Sequence, residues 1–213
     1  MLGKKQLAGS TLGVWKKAGN FFMMAFYERH KVIETPRLIL RHFTHRDAQQ
    51  VFDRWMSDEV VASTVNWEAH KNVQVTKRVI HAWEQMYRQG EFYNWALVLK
   101  GTDCIIGSID FHDISKLGRT ADIGYCVARS YWGQGFATEA LKAVLQYGFE
   151  VLHFERVSAE YLWENPASGR VMEKAGMRFE SDKKIIHKDR VKDSRVYVIT
   201  REDYIRQKET GER

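Results

Sequence analysis

A run of ten residues, Tyr131-Trp132-Gly133-Gln134-Gly135-Phe136-Ala137-Thr138-Glu139-Ala140, limits what this chain can fold into more than any other stretch. Upstream of it, Ala121, Ile123, Tyr125 and Val127 alternate on one face of Thr120–Val127, the period of a strand. Downstream, Ala137, Leu141, Val144, Leu145, Gly148 and Leu152 recur at helical spacing. Gly133 and Gly135 therefore mark a strand-to-helix turn. A helix N-terminus leaves about four N–H groups without intrahelical partners and carries roughly half a positive charge. Glycines let such amides approach a ligand closely, and phosphate oxygens suit the position. A tight connection with no ligand is the plain alternative. The lysine and hydroxyl of a P-loop and the third glycine of a dinucleotide fingerprint are missing, which excludes both of those motifs.

A chain of 213 residues with 44% hydrophobic content is long enough for one full core. Pro36 and Pro166 are its two prolines, and no repeat or glycine-rich linker divides it, so one domain is expected. The net charge of +6 is concentrated at one end. Lys4, Lys5, Lys16, Lys17, Arg29 and Lys31 against Glu28 alone give residues 1–31 a net +5, leaving +1 for the rest. That distribution argues against a groove-reading surface and a specific nucleic-acid partner, since a basic arm adds only weak attraction to RNA or anionic lipid. Residues 1–31 read as a solvated, partly disordered extension, or in part as sequence upstream of a natural start at Met23 or Met24. Their most apolar part, Asn20–Tyr27, is far shorter than the roughly 20 residues a transmembrane helix needs. Cys104 and Cys126 have no CxxC spacing and the eight histidines no metal-ligand spacing, so no metal is expected. Two reduced thiols and no convincing signal peptide point to the cytoplasm.

The rest of the chain reads as alternating strands and helices. Arg37–Phe43 suits a first strand, and Thr44 with Asp47 offers a capping box for a helix from about Asp47 to Ser57. Val75, Val79, Trp83 and Met86 stripe a second helix from about Lys71 to Arg88. Three strand-like runs follow, Asn94–Lys100, Cys104–His112 and Arg119–Val127, separated by hairpin turns. After the glycine-opened helix come a strand at Arg156–Trp163 and a short helix at Asn165–Ala175, with Asn165 as cap, Pro166 in the first turn and Gly176 as stop. Arg178–His187 and Arg195–Thr200 are the last two strand-like runs. The order implies an α/β or α+β sheet with helices on both faces.

Several segments resemble the GCN5-related N-acetyltransferases. Their acetyl-CoA loop has the pattern Gln/Arg, two residues, Gly, one residue, Gly/Ala, and the positions here are Trp132, Gly135 and Ala137. Tryptophan at the first of these is common in the RimJ/RimL-like branch. Glu34-Thr35-Pro36-Arg37-Leu38-Ile39-Leu40-Arg41 looks like that branch's opening strand. Asn165-Pro166-Ala167-Ser168 with Glu173–Met177 looks like its second cofactor helix, and Val196–Tyr204 like its closing strand. The resemblance implies an acyl-CoA N-acyltransferase fold over residues 32–208, followed by a polar tail at 209–213. Its sheet would be mixed, mostly antiparallel, of about six or seven strands, splayed at the cofactor site.

The same resemblance implies roles for residues. Tyr125, Cys126 and Val127 would pair with the pantetheine arm, and an N–H among them would stabilise the oxyanion. Trp132 and Gly133 would shape the loop, and the N–H groups of Gln134, Gly135, Phe136, Ala137 and Thr138 would hold the pyrophosphate. Asn165 would contact the arm or merely cap its helix. Ser168 would protonate the leaving thiolate or be an ordinary first-turn residue. Asp122 is a candidate general base, with Glu160, Asp110, His112 and water as rivals. Phe111, Tyr125, Tyr161 and Trp163 would wall the acceptor pocket or belong to the core. The implied activity is direct acetyl transfer from acetyl-CoA to a primary amine, such as a ribosomal protein's N-terminus, by a monomer or homodimer. A small-molecule amine as acceptor, a non-catalytic CoA-binding or protein-interaction module of the same fold, and a ribosome-associated factor using the basic arm are the alternatives.

Overall fold

The computed structural model, which describes residues 32–90 and 92–211, builds one mixed sheet of eight strands. These are β1 (Ile33–Glu34), β2 (Leu38–Arg41), β3 (Tyr93–Leu99), β4 (Ile105–Ser115), β5 (Thr120–Val127), β6 (Arg156–Leu162), β7 (Arg178–His187) and β8 (Arg190–Thr200). Their spatial order is β1-β2-β3-β4-β5-β6-β8-β7, and among the described residues only β5 and β6 pair parallel. The sheet is one strand larger than the upper expectation because Pro36 breaks the opening run into β1 and β2, which fold back on each other. The basic extension falls outside the described residues.

The helices are α1 (Ala48–Val51, continuing through a wider π turn, Phe52–Met56), α2 (Glu59–Ala62), α3 (Val73–Gln89), α4 (Phe136–Glu150), α5 (Pro166–Lys174) and α6 (Arg201–Thr210). Short α2, which the sequence pattern did not announce, is capped by Asp58. The reading of Val196–Tyr204 as one strand is corrected here. Strand β8 ends at Thr200, whose hydroxyl accepts the Asp203 N–H at 3.1 Å while Asp203 accepts from Thr200 N–H at 3.3 Å. That capping box turns the chain into α6, which runs through Thr210.

Strand alternation sends two sets of side chains to opposite faces. Leu38, Leu40, Trp95, Ile109, Ile123, Val157 and Tyr197 pack with Leu141, Val144 and Leu145 of α4 and Met172 of α5. Ala96, Val98, Ile105 and Cys126 pack with Val51, Trp55 and Met56 of the α1 segment and Ile80 of α3. Each fully buried aliphatic chain in these layers stabilises the fold by about 1.5–3 kcal/mol. Helix α5 sits unusually close to β6: a Cβ on Gly169 would lie 2.7 Å from the Tyr161 ring. No helix among the described residues is long and apolar enough to cross a membrane.

The feature that positions the site is a split in this sheet. Strand β5 pairs with β6 only at Thr120–Arg156, Ala121–Val157 and Asp122–Ser158. From Ile123 to Val127 it has β4 on one side and, among the described residues, no strand on the other. The expected splay is therefore present, and its mouth opens toward the glycine turn.

Candidate active site

Gly133 and Gly135 adopt φ of 74° and 80°, left-handed values at which an L side chain is strained. Gly135 is the N-cap of α4, and no side chain among the described residues caps that helix. The first backbone bond of α4 is Glu139 N–H to Gly135 C=O at 3.0 Å. Among the described residues, the N–H groups from Gly133 to Thr138 donate to no acceptor in the protein. They form a continuous row of free donors at the positive end of a fifteen-residue helix.

Side chains hold the rest of the turn in place. Trp132 donates its indole N–H to Val127 C=O at 2.6 Å, so the residue that departs from Gln/Arg ties the turn to the end of β5. Gln134 Nε2 donates to Ser130 C=O at 3.0 Å. Arg37 donates to Gln134 C=O at 2.9 Å and to Glu139 at 2.6 Å, with its guanidinium 4.2 Å above the Phe136 ring. Glu139 also accepts from Thr35 Oγ1 at 2.6 Å and Arg37 N–H at 2.8 Å. Burial opposes the Glu139 charge, but the bonds from Thr35 and Arg37 outweigh it and hold the carboxyl below its ordinary value. This hook is functional architecture that sequence reading missed, because Arg37 and Glu139 are 102 residues apart. Only the presence of Glu139 in the first helical turn hinted at it.

Across the splay, Tyr125 and Ser168 meet. The Tyr125 hydroxyl lies 2.8 Å from Ser168 Oγ and donates to Ser168 C=O at 3.0 Å. Burial raises the Tyr125 pKa, with the Ser168 bond opposing, so the phenol stays protonated. Asn165 occupies the N-cap position of α5, yet its side chain makes no cap hydrogen bond. Its amide is left half-buried beside the split. Burial also raises the pKa of the Cys126 thiol, on the α1/α3 face, which makes it an inert core residue.

Asp122 does not join Tyr125 and Ser168. It stands three residues before Tyr125 on a strand, so its side chain emerges from the opposite face. There it pairs in register with His112 and Ser158. Burial raises its carboxyl pKa, partly countered by His112 and by a bond from Ser158. The His112 Nδ1 is 3.0 Å from Asp110, whose hydrogen bond raises the imidazole pKa. Glu160, on the same face of β6, is engaged by Lys183. Ligand atoms of His112, Asp113 and Asp122 come within 4.8 Å of one another, a grouping that spacing along the sequence concealed because β5 supplies one member. Of the aromatic candidates, Phe111 and Tyr161 belong to the core, while Trp163 is 52% exposed under the Arg195 guanidinium.

The arrangement offers anion donors at a helix end, a strand with an unpaired edge, and a hydroxyl pair beside that edge. Comparison with known proteins agrees with it. A family profile described as an acetyltransferase (GNAT) domain matches residues 37–178. YoaA of Bacillus subtilis, described as an uncharacterised N-acetyltransferase, is 32% identical over 149 residues, covering 70% of this chain and 84% of that protein. An Escherichia coli protein named [ribosomal protein uS5]-alanine N-acetyltransferase is 24% identical over 152 residues, 70% of this chain and 78% of its own length. A GNAT-family acetyltransferase structure from Bacillus anthracis superposes with a TM-score of 0.71 at 30% identity, covering 81% of this chain and 99% of its own.

Proposed function

The chain belongs to the GNAT family of N-acetyltransferases, enzymes that take the acetyl group from acetyl-CoA, and on that premise we propose that it transfers the group directly to the α-amine of a protein N-terminus. The observation that carries this reading is the row of free N–H groups from Gly133 to Thr138 beside the open edge of β5. The row fits a pyrophosphate, with the Thr138 hydroxyl as a further donor. The edge at Tyr125, Cys126 and Val127 receives the pantetheine amides as an added strand would, although the Val127 carbonyl is already taken by Trp132. The unengaged Asn165 amide is a second contact for that arm.

Acetyl-CoA supplies the acyl group as an activated thioester. An N–H near Tyr125 on the open edge stabilises the charge that develops on the thioester oxygen. Ser168 Oγ, held 2.8 Å from the Tyr125 hydroxyl, gives a proton to the departing sulfur and recovers one from solvent, while the phenol keeps its own. Asp122, from the other face of the sheet, accepts the proton of the attacking ammonium through water, and its raised pKa brings it nearer the working pH.

The Escherichia coli relative named for the alanine of ribosomal protein uS5 supports a ribosomal protein as the acceptor. Thiol release from acetyl-CoA, followed with peptides beginning in alanine or serine and with polyamines, tests this. We expect kcat/KM on the peptides at least about tenfold above that on polyamines, the scale at which a site discriminates between related substrates. The reverse order would reassign the acceptor to small amines.

A further inference from the structure

On the α1/α3 face of the sheet, two acceptor oxygens on paired strands have no donor among the described residues. Asn94 of β3 and Asp110 of β4 are partners in register, and Asp110 is in turn the partner of Gly124 on β5. All three share the strand parity of Ala96 and Cys126, which puts Asn94 and Asp110 on the face covered by α1 and α3. Asn94 is 4% exposed, yet its Oδ1 accepts no hydrogen bond among the described residues. A buried amide oxygen left unpaired costs stability that a donor on a ligand would recover. The Tyr87 phenol is spent elsewhere, donating to Asn94 C=O at 2.8 Å and accepting Phe43 N–H at 3.3 Å. Asp110 meets His112 Nδ1 through Oδ2 at 3.0 Å and keeps Oδ1 toward Gly124, where an added Cβ would lie 3.4 Å from that oxygen and 3.3 Å from His112 Cε1. Glycine at this position leaves room beside the carboxylate. His112 faces a second carboxylate, Asp122, in register, and the neighbouring cations Arg156 and Lys183 are held by Glu180 and Glu160, so the pocket is negative.

We propose that Asp110 Oδ1 and Asn94 Oδ1 receive the ammonium of the acceptor, in the room that Gly124 leaves. The inference rests on the reading of the acceptor as an α-amine and adds the groups that recognise it. An ammonium brings three donors and one positive charge, which match a carboxylate oxygen, an amide oxygen and a water. A neutral hydroxyl or amide would leave the carboxylate charge unanswered. An α-amine is mostly protonated at neutral pH, so it arrives in the form that the pocket selects. Gly124 precedes Tyr125 in the chain, which sets the pocket beside the edge assigned to the thioester. Asp122 stands one register pair further along the same face. Holding the ammonium and taking its proton through water thereby fall to different carboxylates.

Calorimetry on the full chain loaded with CoA tests the proposal, using a peptide that begins with alanine and the same peptide beginning with a propionyl group, which lacks only the amine. The wild type should bind the free amine about tenfold more tightly, the scale of one charge-assisted hydrogen bond. Asp110→Asn should abolish that preference, and Asn94→Leu should cut it to about threefold. In steady-state kinetics, Asp110→Asn should raise the KM for the alanine peptide about tenfold while kcat and the KM for acetyl-CoA hold. A fall in kcat at unchanged peptide KM would overturn the subsite by making Asp110 the base. Equal binding of the two peptides by the wild type would also overturn it and leave acetyl transfer standing. Faster turnover of polyamines than of peptides would remove the α-amine reading instead, and the effect of Asp110→Asn on the polyamine KM would then decide the subsite.

Discussion

The two ends of β5 are built by opposite means. At Thr120–Asp122 the strand is hydrogen-bonded on both sides, and Asp122 is hemmed in by His112 and Ser158. At Ile123–Val127, among the described residues, β4 is the one strand paired with it, and side chains supply the other contacts, Tyr125 to Ser168 and the Trp132 indole N–H to Val127 C=O. Buried backbone groups need partners, so an end where, Val127 C=O apart, the edge away from β4 meets no strand among the described residues is suited to receive them from a ligand. The closed end has no such capacity. Its charges are spent on one another, and what remains there is a carboxyl whose protonation responds to burial.

Changes at the open end should therefore dominate. Gly135→Leu forces a bulky side chain into left-handed backbone at a local cost of about 1–2 kcal/mol and covers the free amides. Calorimetry should find acetyl-CoA binding lost while circular dichroism shows the fold intact; unchanged affinity would break the comparison at its base. Ser168→Ala should lower kcat by about a hundredfold with little change in the KM for acetyl-CoA, as loss of a general acid does. If both constants move together, Ser168 is part of the binding wall instead.

The smallest effect belongs to the closed end. The folded pKa of Asp122 is raised, so the native state binds its proton more tightly than the unfolded chain does. Stability from this group is present at acidic pH and is lost as pH rises from the ordinary carboxylate range through the raised value. Asp122→Asn should be no less stable than the wild type at neutral pH in thermal melts, and it should flatten the acidic limb of the kcat/KM profile. An unchanged limb would assign the base elsewhere, with Asp110 and Glu160 on the same face as the next residues to test.

What could be read from the sequence follows the range of the interactions. Gly133 and Gly135 were legible because a left-handed turn between a strand and a helix is a demand made within ten residues. The boundaries of α5 were legible through Pro166 and Gly176 for the same reason. The capping box at Thr200 and Asp203 was equally local, yet the β-branched run before it pulled the reading toward strand. Strand parity alone already sends the side chains of Asp122 and Tyr125 to opposite faces, which is legible in the sequence. The bond from Arg37 to Glu139 spans 102 residues and the contact from Tyr125 to Ser168 spans 43, and no periodic pattern announces partners at such distances.

That hook from Arg37 to the glycine turn also bears on how the chain comes into being. The segment Thr35–Arg37 leaves the ribosome about a hundred residues before Gln134 and Glu139, so it must wait, unsatisfied, for most of the sheet to form. A shortened chain beginning after Arg37 would contain every residue of the glycine motif and still lack the clamp that shapes it. The motif is therefore only half an address, and the other half is written near the start of the domain.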